Sequence, residues 1–153
     1  MFKAGILVNK LDFSQQSLHL IMSVNKLLYE NPTSDFIVFY ETWGRQPLAP
    51  KFATMMEREC WGLEGTLIST TLINTSRAIR CPGPTKKLFY VWNLEWLNLQ
   101  NINFEELAKI YCHPTIELVA RSESHYKALK DVWKEPIAIM DNFNPTVLKE
   151  LIS

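Results

Sequence analysis

Apolar residues follow two different periods along the chain, and these periods predict its strands and helices. Residues 3–9 form a short apolar run without a helical stripe, which is typical of a strand buried on both faces. Downstream of Ser14, a possible helix cap, Ile21, Val24 and Leu27 recur at helical spacing. The same succession returns several times. Strands are predicted at residues 3–9, 35–41, 66–69, 87–92, 116–120 and 137–140.

The segments between these strands predict helices and the points at which they begin. A helix is expected from Pro50 to Cys60, because proline suits a first helical turn. Residues 70–79 are rich in threonine and fit either a helix or more strand. The last three helices are predicted near residues 104–111, after the cap Ser122, and after the cap Asn144 with Pro145 at its first position.

Alternation of strands and helices predicts a parallel sheet with helices on both faces. Right-handed crossovers then give a single doubly wound, mostly parallel sheet of about six strands, a Rossmann-like three-layer α/β sandwich over residues 1–153. Neither a composition shift nor an internal repeat divides the chain. One domain is therefore expected.

The composition excludes some classes of protein but does not indicate a function. The chain is 47% hydrophobic, and its 16 basic and 16 acidic residues cancel, so nothing points to nucleic acid. No apolar run approaches the roughly 18 residues of a membrane span, and no signal peptide is recognisable, so we expect a cytoplasmic protein. Cys60, Cys81 and Cys112 lie in no Cys-x-x-Cys pattern, so we expect reduced thiols and no metal site.

A binding site in such a sheet is expected beyond the carboxyl ends of the strands, where helix N-termini favour anionic ligands. Glu95 is the candidate catalytic base, because an acid beside tryptophan rings can have its pKa raised into a useful range; the alternative is a solvated loop glutamate. Ser122 has the simpler alternative of a helix cap. The candidate ligand-binding residues are Asn9, Lys10, Asp12, Asn93, Trp96, Arg121, Ser122, Glu123 and Asn142.

Several common site motifs are absent from the sequence. The loop after the first predicted strand, NKLDFSQQ, has no glycine, which argues against a dinucleotide fingerprint. The sequence also has neither a phosphate-binding Gly-x-x-x-x-Gly-Lys-Ser/Thr loop nor a Gly-x-Ser-x-Gly elbow. Ser69, Thr70 and Thr71 stand where a receiver domain carries its phospho-accepting aspartate. We therefore expect no bound cofactor.

The run IELVARSESHYKALKDVWKEPIAIMDNFNP, residues 116–145, resembles the end of the N-terminal Rossmann-like domain of GT-B fold glycosyltransferases. Arg121, Ser122 and Glu123 match the start of a helix after a strand in that family, and Asn142 matches an asparagine in a turn. The chain departs from the family in the residues after Asn142, in the missing glycine-rich loop, and in having Asn93-Leu94-Glu95 where a histidine–aspartate pair is common.

The resemblance implies a carbohydrate or nucleotide-sugar ligand, and a second domain that binds the donor would be expected beyond Ser153. We therefore predict a glycosyltransferase-like binding or accessory protein without complete catalytic machinery, with a protein partner or a homodimer. The alternative is an active glycosyltransferase that completes its cleft by oligomerisation or with a partner chain. In that alternative Glu95 deprotonates an acceptor hydroxyl, and Lys10 or Arg121 neutralises phosphate charge.

Overall fold

The computed structural model describes residues 1–101 and 103–153 and contains one parallel sheet. Its seven strands stand in the order β3-β2-β1-β4-β5-β6-β7, and every neighbouring pair is parallel. The strands are β1 (Lys3–Leu11), β2 (Asp35–Trp43), β3 (Ala53–Met56), β4 (Gly65–Ser69), β5 (Pro84–Val91), β6 (Ile116–Ala120) and β7 (Ala138–Ile139).

The helices begin where side chains can satisfy their first amides. The hydroxyls of Ser14 and Ser122 accept from the amides three residues on, and the side chain of Asn144 accepts from the first turn that Pro145 opens. These three predicted caps are confirmed. The helices are α1 (Gln15–Glu30), α2 (Leu72–Arg80), α3 (Phe104–Tyr111), α4 (Glu123–Val132) and α5 (Pro145–Ile152), and 3₁₀ turns span Glu57–Gly62, Glu95–Leu97 and Asp141–Phe143.

The sheet is wound in two directions from its central strand. The chain passes from β1 outward to β2 and β3, and then returns to place β4 on the other side of β1. Ala4 of β1 pairs with Phe36 on one side and with Thr66 on the other. The predicted doubly wound parallel sheet is therefore confirmed, with seven strands where the sequence predicts about six.

The two faces of the sheet carry separate cores, because parallel strands are buried on both sides. On one face, α1 and α5 pack over alternate residues of β1, β2 and β5 through side chains such as Leu20, Val24 and Leu148. On the other face, α3 and α4 pack over β5 and β6 through Leu107 and Leu129. The end of α2 and the turn Glu57–Gly62 complete this second face.

The prediction of a helix from Pro50 to Cys60 is wrong. Thr54 and Met55 instead pair with β2, so that β3 becomes an edge strand, and Cys60 lies in the 3₁₀ turn that follows. A short segment with β-branched and methionine side chains can pair with the bare edge of β2, and this pairing outweighs the helical start offered by Pro50.

The ambiguous residues 70–79 fold as helix. Thr71 is the cap of α2 and Thr75 donates its hydroxyl to the carbonyl of Thr71, so both threonines serve the helix that their β propensity opposes. Strand β1 runs two residues further than predicted, which places Lys10 and Leu11 inside it. None of the helices in the described ranges is both long and apolar enough to cross a membrane.

Candidate functional site

The reversal of strand order lies between β1 and β4, so the crevice expected of a doubly wound sheet opens at the carboxyl ends of these strands. Asn9 is near the end of β1, and Thr70 and Thr71 directly follow β4. The Oδ1 atom of Asn9 accepts from the Thr71 hydroxyl at 3.2 Å and from Nδ2 of Asn74 at 3.5 Å. The predicted site residue Asn9 therefore lies at the reversal point.

Asn74 organises this crevice from inside the first turn of α2. Its Oδ1 accepts from the amides of Thr70 and Thr71, both at 2.9 Å, while its Nδ2 donates to the carbonyl of Leu7. The side chain is fully buried. We call Asn9, Thr70, Thr71 and Asn74 the switch-point network, and the side-chain oxygen of each is hydrogen-bonded to another group of the protein.

Glu95, in the 3₁₀ turn after β5, contacts the first residue of α2. Its Oε2 accepts from the amide of Leu72 at 2.8 Å, so it holds the N-terminus of α2. Burial raises the pKa of the Glu95 carboxyl above its ordinary value, and the bond from Leu72 partly opposes that rise. The structure thus places Glu95 at the carboxyl edge, as a ligand of the protein's own backbone.

This bonding decides what the N-terminus of α2 can bind. Anions bind to helix N-termini through free amides. Here the amides of Thr70, Thr71, Leu72, Asn74 and Thr75 all donate to oxygens of the chain itself. A phosphate group at this position would have to displace the Glu95 carboxylate.

A second group of predicted residues meets beyond β5, β6 and β7. The guanidinium carbon of Arg121 lies 3.7 Å from the centroid of the Trp92 ring, close enough for a cation–π interaction. Arg121 also donates to the Trp92 carbonyl at 3.4 Å and to Oδ1 of Asn142 at 3.3 Å. Asn142 holds a left-handed backbone with φ of 44°, which asparagine tolerates better than most residues. Arg121 and Asn142 therefore come together, separately from the switch-point network.

The other predicted residues along the edge do not converge on either group. Lys10, Asn93 and Glu123 are exposed. Trp96 is only 4% exposed and packs edge-on against Tyr111, so it offers no open ring for a ligand. Ser122 caps α4 through the amide of His125.

Asp12 lies in the turn that leads from β1 into α1. Its Oδ1 accepts from the hydroxyl of Ser17 at 3.4 Å, and its own amide donates to that hydroxyl. These contacts fix the turn beside the capped first turn of α1. The Asp12 carboxylate therefore lies near the carboxyl edge, where it bonds to the neighbouring Ser17.

Sequence reasoning missed Thr70, Thr71 and Asn74. The usable signal is the pair Thr71 and Asn74, three residues apart, which forms a capping box in the structure. A capping box is normally recognised by a glutamate or glutamine at its second position, and the threonine-rich composition favoured strand. The role of Asn74 in joining α2 to β1 needs the fold and is not readable from spacing.

Four large apolar side chains are exposed at the carboxyl edge, in addition to polar ones such as those of Lys10 and Glu123. Phe13 is 74% exposed in the turn after β1, and Leu97 is 66% exposed in the 3₁₀ turn after β5. Trp43 at the end of β2 and Ile73 in the first turn of α2 are also more than half exposed. We call Phe13, Trp43, Ile73 and Leu97 the carboxyl-edge apolar surface.

Two cavities lie away from this surface. One, of about 600 Å³, is at the amino ends of β1, β2 and β3, with Phe36 and Leu63 among its apolar walls and Lys3 and Asp35 among its charged ones. The other, of about 410 Å³, lies between the turn Glu57–Gly62 and the last turns of α2. Both cavities therefore lie away from the edge where a doubly wound sheet usually binds its ligand.

Metal binding finds no support in the part of the chain that the structure describes. No three histidine, cysteine, aspartate or glutamate side chains are grouped there so as to hold an ion. Comparison with family models, with curated proteins and with solved structures found no match.

Proposed function

We propose that this chain is a glycosyltransferase-like binding module whose carboxyl edge docks a protein partner, and that it does not carry out transfer by itself. The observation that carries the proposal is the division of roles at this edge. The side-chain oxygens of the switch-point network are hydrogen-bonded within the protein, while the carboxyl-edge apolar surface is left exposed.

The hydrogen bonds argue against a nucleotide-sugar site at the centre of the edge. A phosphate needs unoccupied donors, and most amides at the start of α2, those of Thr70, Thr71, Leu72 and Asn74 among them, already donate to side chains of the protein. Tryptophan, by contrast, is enriched among the few side chains that supply most of the free energy of protein–protein association, and Trp43 is more than half exposed at this edge. The proposal rests on this chemistry together with the resemblance of residues 116–145 to the GT-B domain.

Self-association is the first test, since a second copy of the chain is the simplest partner. Sedimentation velocity would compare the wild type with the double variant Ile73→Ser/Leu97→Ser. We expect the wild type to form dimers with increasing concentration and the variant to remain monomeric. Tyr29→Ser is the control, because Tyr29 is even more exposed, at 89%, and lies near the far end of α1.

A thermal-shift titration with UDP, GDP, ADP and their sugar conjugates separates the binding proposal from an enzyme. A ligand that binds only the folded state stabilises it by about 2.7 kcal/mol at a hundred times its dissociation constant. We expect no shift. A clear shift with one nucleotide would contradict the proposal, and a monomer without a shift would assign the surface to a different protein chain.

One observation favours a second candidate, an active transferase whose cleft is completed by another chain. Glu95 lies at the carboxyl edge with a raised pKa, which suits a base that takes a proton from an acceptor hydroxyl. In that case Glu95→Gln would abolish transfer while leaving the far-ultraviolet circular dichroism unchanged. Loss of the fold in this variant would instead assign Glu95 to the support of α2.

A further inference from the structure

Two buried cysteines lie against each other at the amino end of the second core. Cys60 is in the 3₁₀ turn Glu57–Gly62 and Cys81 follows the last residue of α2. Their sulfurs are 3.2 Å apart, and the residues are 1% and 2% exposed. A disulfide bond of about 2.0 Å requires these sulfurs to approach by little more than one ångström. The fold therefore brings together two thiols that are 21 residues apart in sequence.

Cys60 also lines the cavity of about 410 Å³ beside α2. The other lining residues are Glu57, Arg58, Trp61, Arg77 and Arg80. Glu57 is buried and forms an ion pair with Arg77, and Nε of Arg58 lies 3.8 Å from the carboxylate of the exposed Glu59. Among the described residues, the Arg80 guanidinium has no carboxylate partner, so it is the positive charge available in the cavity. Guanidinium groups pair readily with carboxylates, so the cavity suits a small anion.

We propose that Cys60 and Cys81 form a dithiol–disulfide redox site, and that its oxidising substrate is a small anionic disulfide that enters the arginine-lined cavity next to Cys60. This site is separate from the carboxyl edge and does not depend on the function proposed for that edge.

The reaction is two successive thiol–disulfide exchanges. The Cys60 thiolate attacks one sulfur of the substrate, whose S–S bond breaks and releases one thiolate. The Cys81 thiolate then attacks the Cys60 sulfur of the mixed disulfide and releases the second thiolate. The protein loses two electrons, the substrate disulfide gains them, and the two cysteine protons pass to the two released thiolates.

The surroundings of Cys60 make the first exchange slow at neutral pH. Burial, the contact with Cys81 and the negative charge of Glu57 raise the pKa of the Cys60 thiol to about 12, and Arg77 opposes the rise. Because only the thiolate attacks, the rate is expected to increase with pH. The pair thus stays reduced during brief oxidation and closes during prolonged oxidation.

The test uses the full-length chain with Cys112→Ser, because Cys112 is exposed and would react on its own. The folded protein is incubated with oxidised glutathione, and free thiols are counted with a maleimide after denaturation. We expect both thiols to disappear together, the intact mass to fall by two hydrogen atoms, and no glutathione to remain attached.

Two further variants in the same background separate the roles of the sulfurs. Cys81→Ser removes the resolving thiol, so glutathione should accumulate on Cys60. Cys60→Ser removes the thiol that lines the cavity, so Cys81 should remain unmodified over the same time. The opposite pattern would overturn the assignment of Cys60 as the attacking thiol.

The charge of the cavity is tested with a second probe. Arg80→Gln should slow oxidation by glutathione disulfide several-fold and leave oxidation by the uncharged bis(2-hydroxyethyl) disulfide unchanged. Equal slowing with both probes, or with neither, would overturn the part of the proposal that concerns an anionic substrate.

A refolding experiment shows what it means if Cys60 and Cys81 are not oxidised in the folded protein. The Cys112→Ser chain is unfolded in urea and refolded in a mixture of reduced and oxidised glutathione. If both thiols are free afterwards, the pair is not a redox site. If the disulfide forms only on refolding and never in the folded protein, the exchange through the cavity is overturned.

Discussion

The two edges of the sheet differ in how they use their polar groups. At the carboxyl edge, Asn9, Asn74 and Glu95 bind other parts of the chain, and the carboxyl-edge apolar surface is exposed. At the amino edge, cavities open beside β1, β2, β3 and the end of α2, and charged side chains line them. At the carboxyl edge, where a doubly wound sheet usually binds its ligand, the protein's own side chains occupy the hydrogen-bonding groups. At the amino edge, two cavities are open.

A reversal of strand order is therefore not sufficient by itself to create an open ligand site. The reversal between β1 and β4 creates a crevice, but here the side chains of α2 and of the turn after β5 occupy it. A crevice filled in this way stabilises the junction of strands. The predictions below test whether the carboxyl edge is structural and whether the amino edge tolerates change.

The largest effect is expected at the start of β4, on the amino edge. Gly65 has φ of 104°, and a Cβ atom there would lie 2.3 Å from the carbonyl oxygen of Lys3. Gly65→Ala should therefore lower the free energy of unfolding by about 4 kcal/mol, from backbone strain and from overpacking together. Urea unfolding measures it.

Gly62→Ala is the matched control, because nothing lies within 4 Å of the Cβ it would add. This variant should stay within about 0.5 kcal/mol of the wild type. Similar losses in the two variants would show that the amino edge is uniformly close-packed and would remove the contrast between the edges.

A loss nearly as large is expected from Asn74→Ala at the carboxyl edge. It leaves the amides of Thr70 and Thr71 and the carbonyl of Leu7 without their partner. Buried groups left unpaired in this way should cost about 2–3 kcal/mol in urea unfolding. Ile73→Ala, an exposed neighbour, is the control. A change below that of the control would mean that the network is dispensable and that the crevice is free to take a ligand.

A smaller effect is expected from Arg121→Ala. The variant loses the cation–π contact with Trp92 and the bond to Asn142, and should be destabilised by about 1 kcal/mol. Arg121→Lys keeps the charge but not the planar group, so it should recover only part of the loss. Full recovery by lysine would show that charge alone matters at this position.

The smallest effect is the pH dependence of Glu95→Gln. The pKa of Glu95 is raised in the folded state by burial, so the folded protein holds this proton more tightly than the unfolded chain. Glu95 therefore contributes stability at low pH that is lost as the pH rises through its folded pKa.

The variant lacks this titration. In a series of urea titrations, the free energy of unfolding of the variant should rise relative to that of the wild type as the pH increases above 4.5, the ordinary pKa of a glutamate. If the difference in free energy of unfolding between the two proteins stays the same at every pH, the Glu95 carboxylate is well solvated. That result would contradict the description of Glu95 as a buried structural group of the carboxyl edge.

Periodicity and caps were sufficient to predict most of the fold. The apolar runs predict β1, β2, β5 and β6 because strands buried on both faces must be apolar throughout. Ser14, Ser122 and Asn144 predict helix starts because their side chains can bond nearby amides. The strand β3 could not be predicted, since its pairing with β2 depends on a neighbour brought in by the fold.

The candidate site was less accessible to sequence reasoning. The sequence places Asn9, Glu95 and Arg121 at strand ends, and the structure agrees with that placement. It does not reveal that Glu95 reaches Leu72, 23 residues away, or that Asn9 meets Thr71 across 62 residues. Those contacts follow from the order of strands, which no local pattern specifies.

The central position of β1 also has a consequence for how the chain folds. On one edge, Ala4 of β1 pairs with Phe36 of β2. The other edge of β1 stays unpaired until β4 is in place, where Ala4 pairs with Thr66. Contacts between residues so distant in sequence slow folding, because the intervening loop must be closed before they form. A nascent chain that has emerged only as far as β3 would expose one whole edge of β1, a strand that is largely buried in the folded protein. Such an edge can pair with other chains, so aggregation during synthesis is the main hazard of this topology.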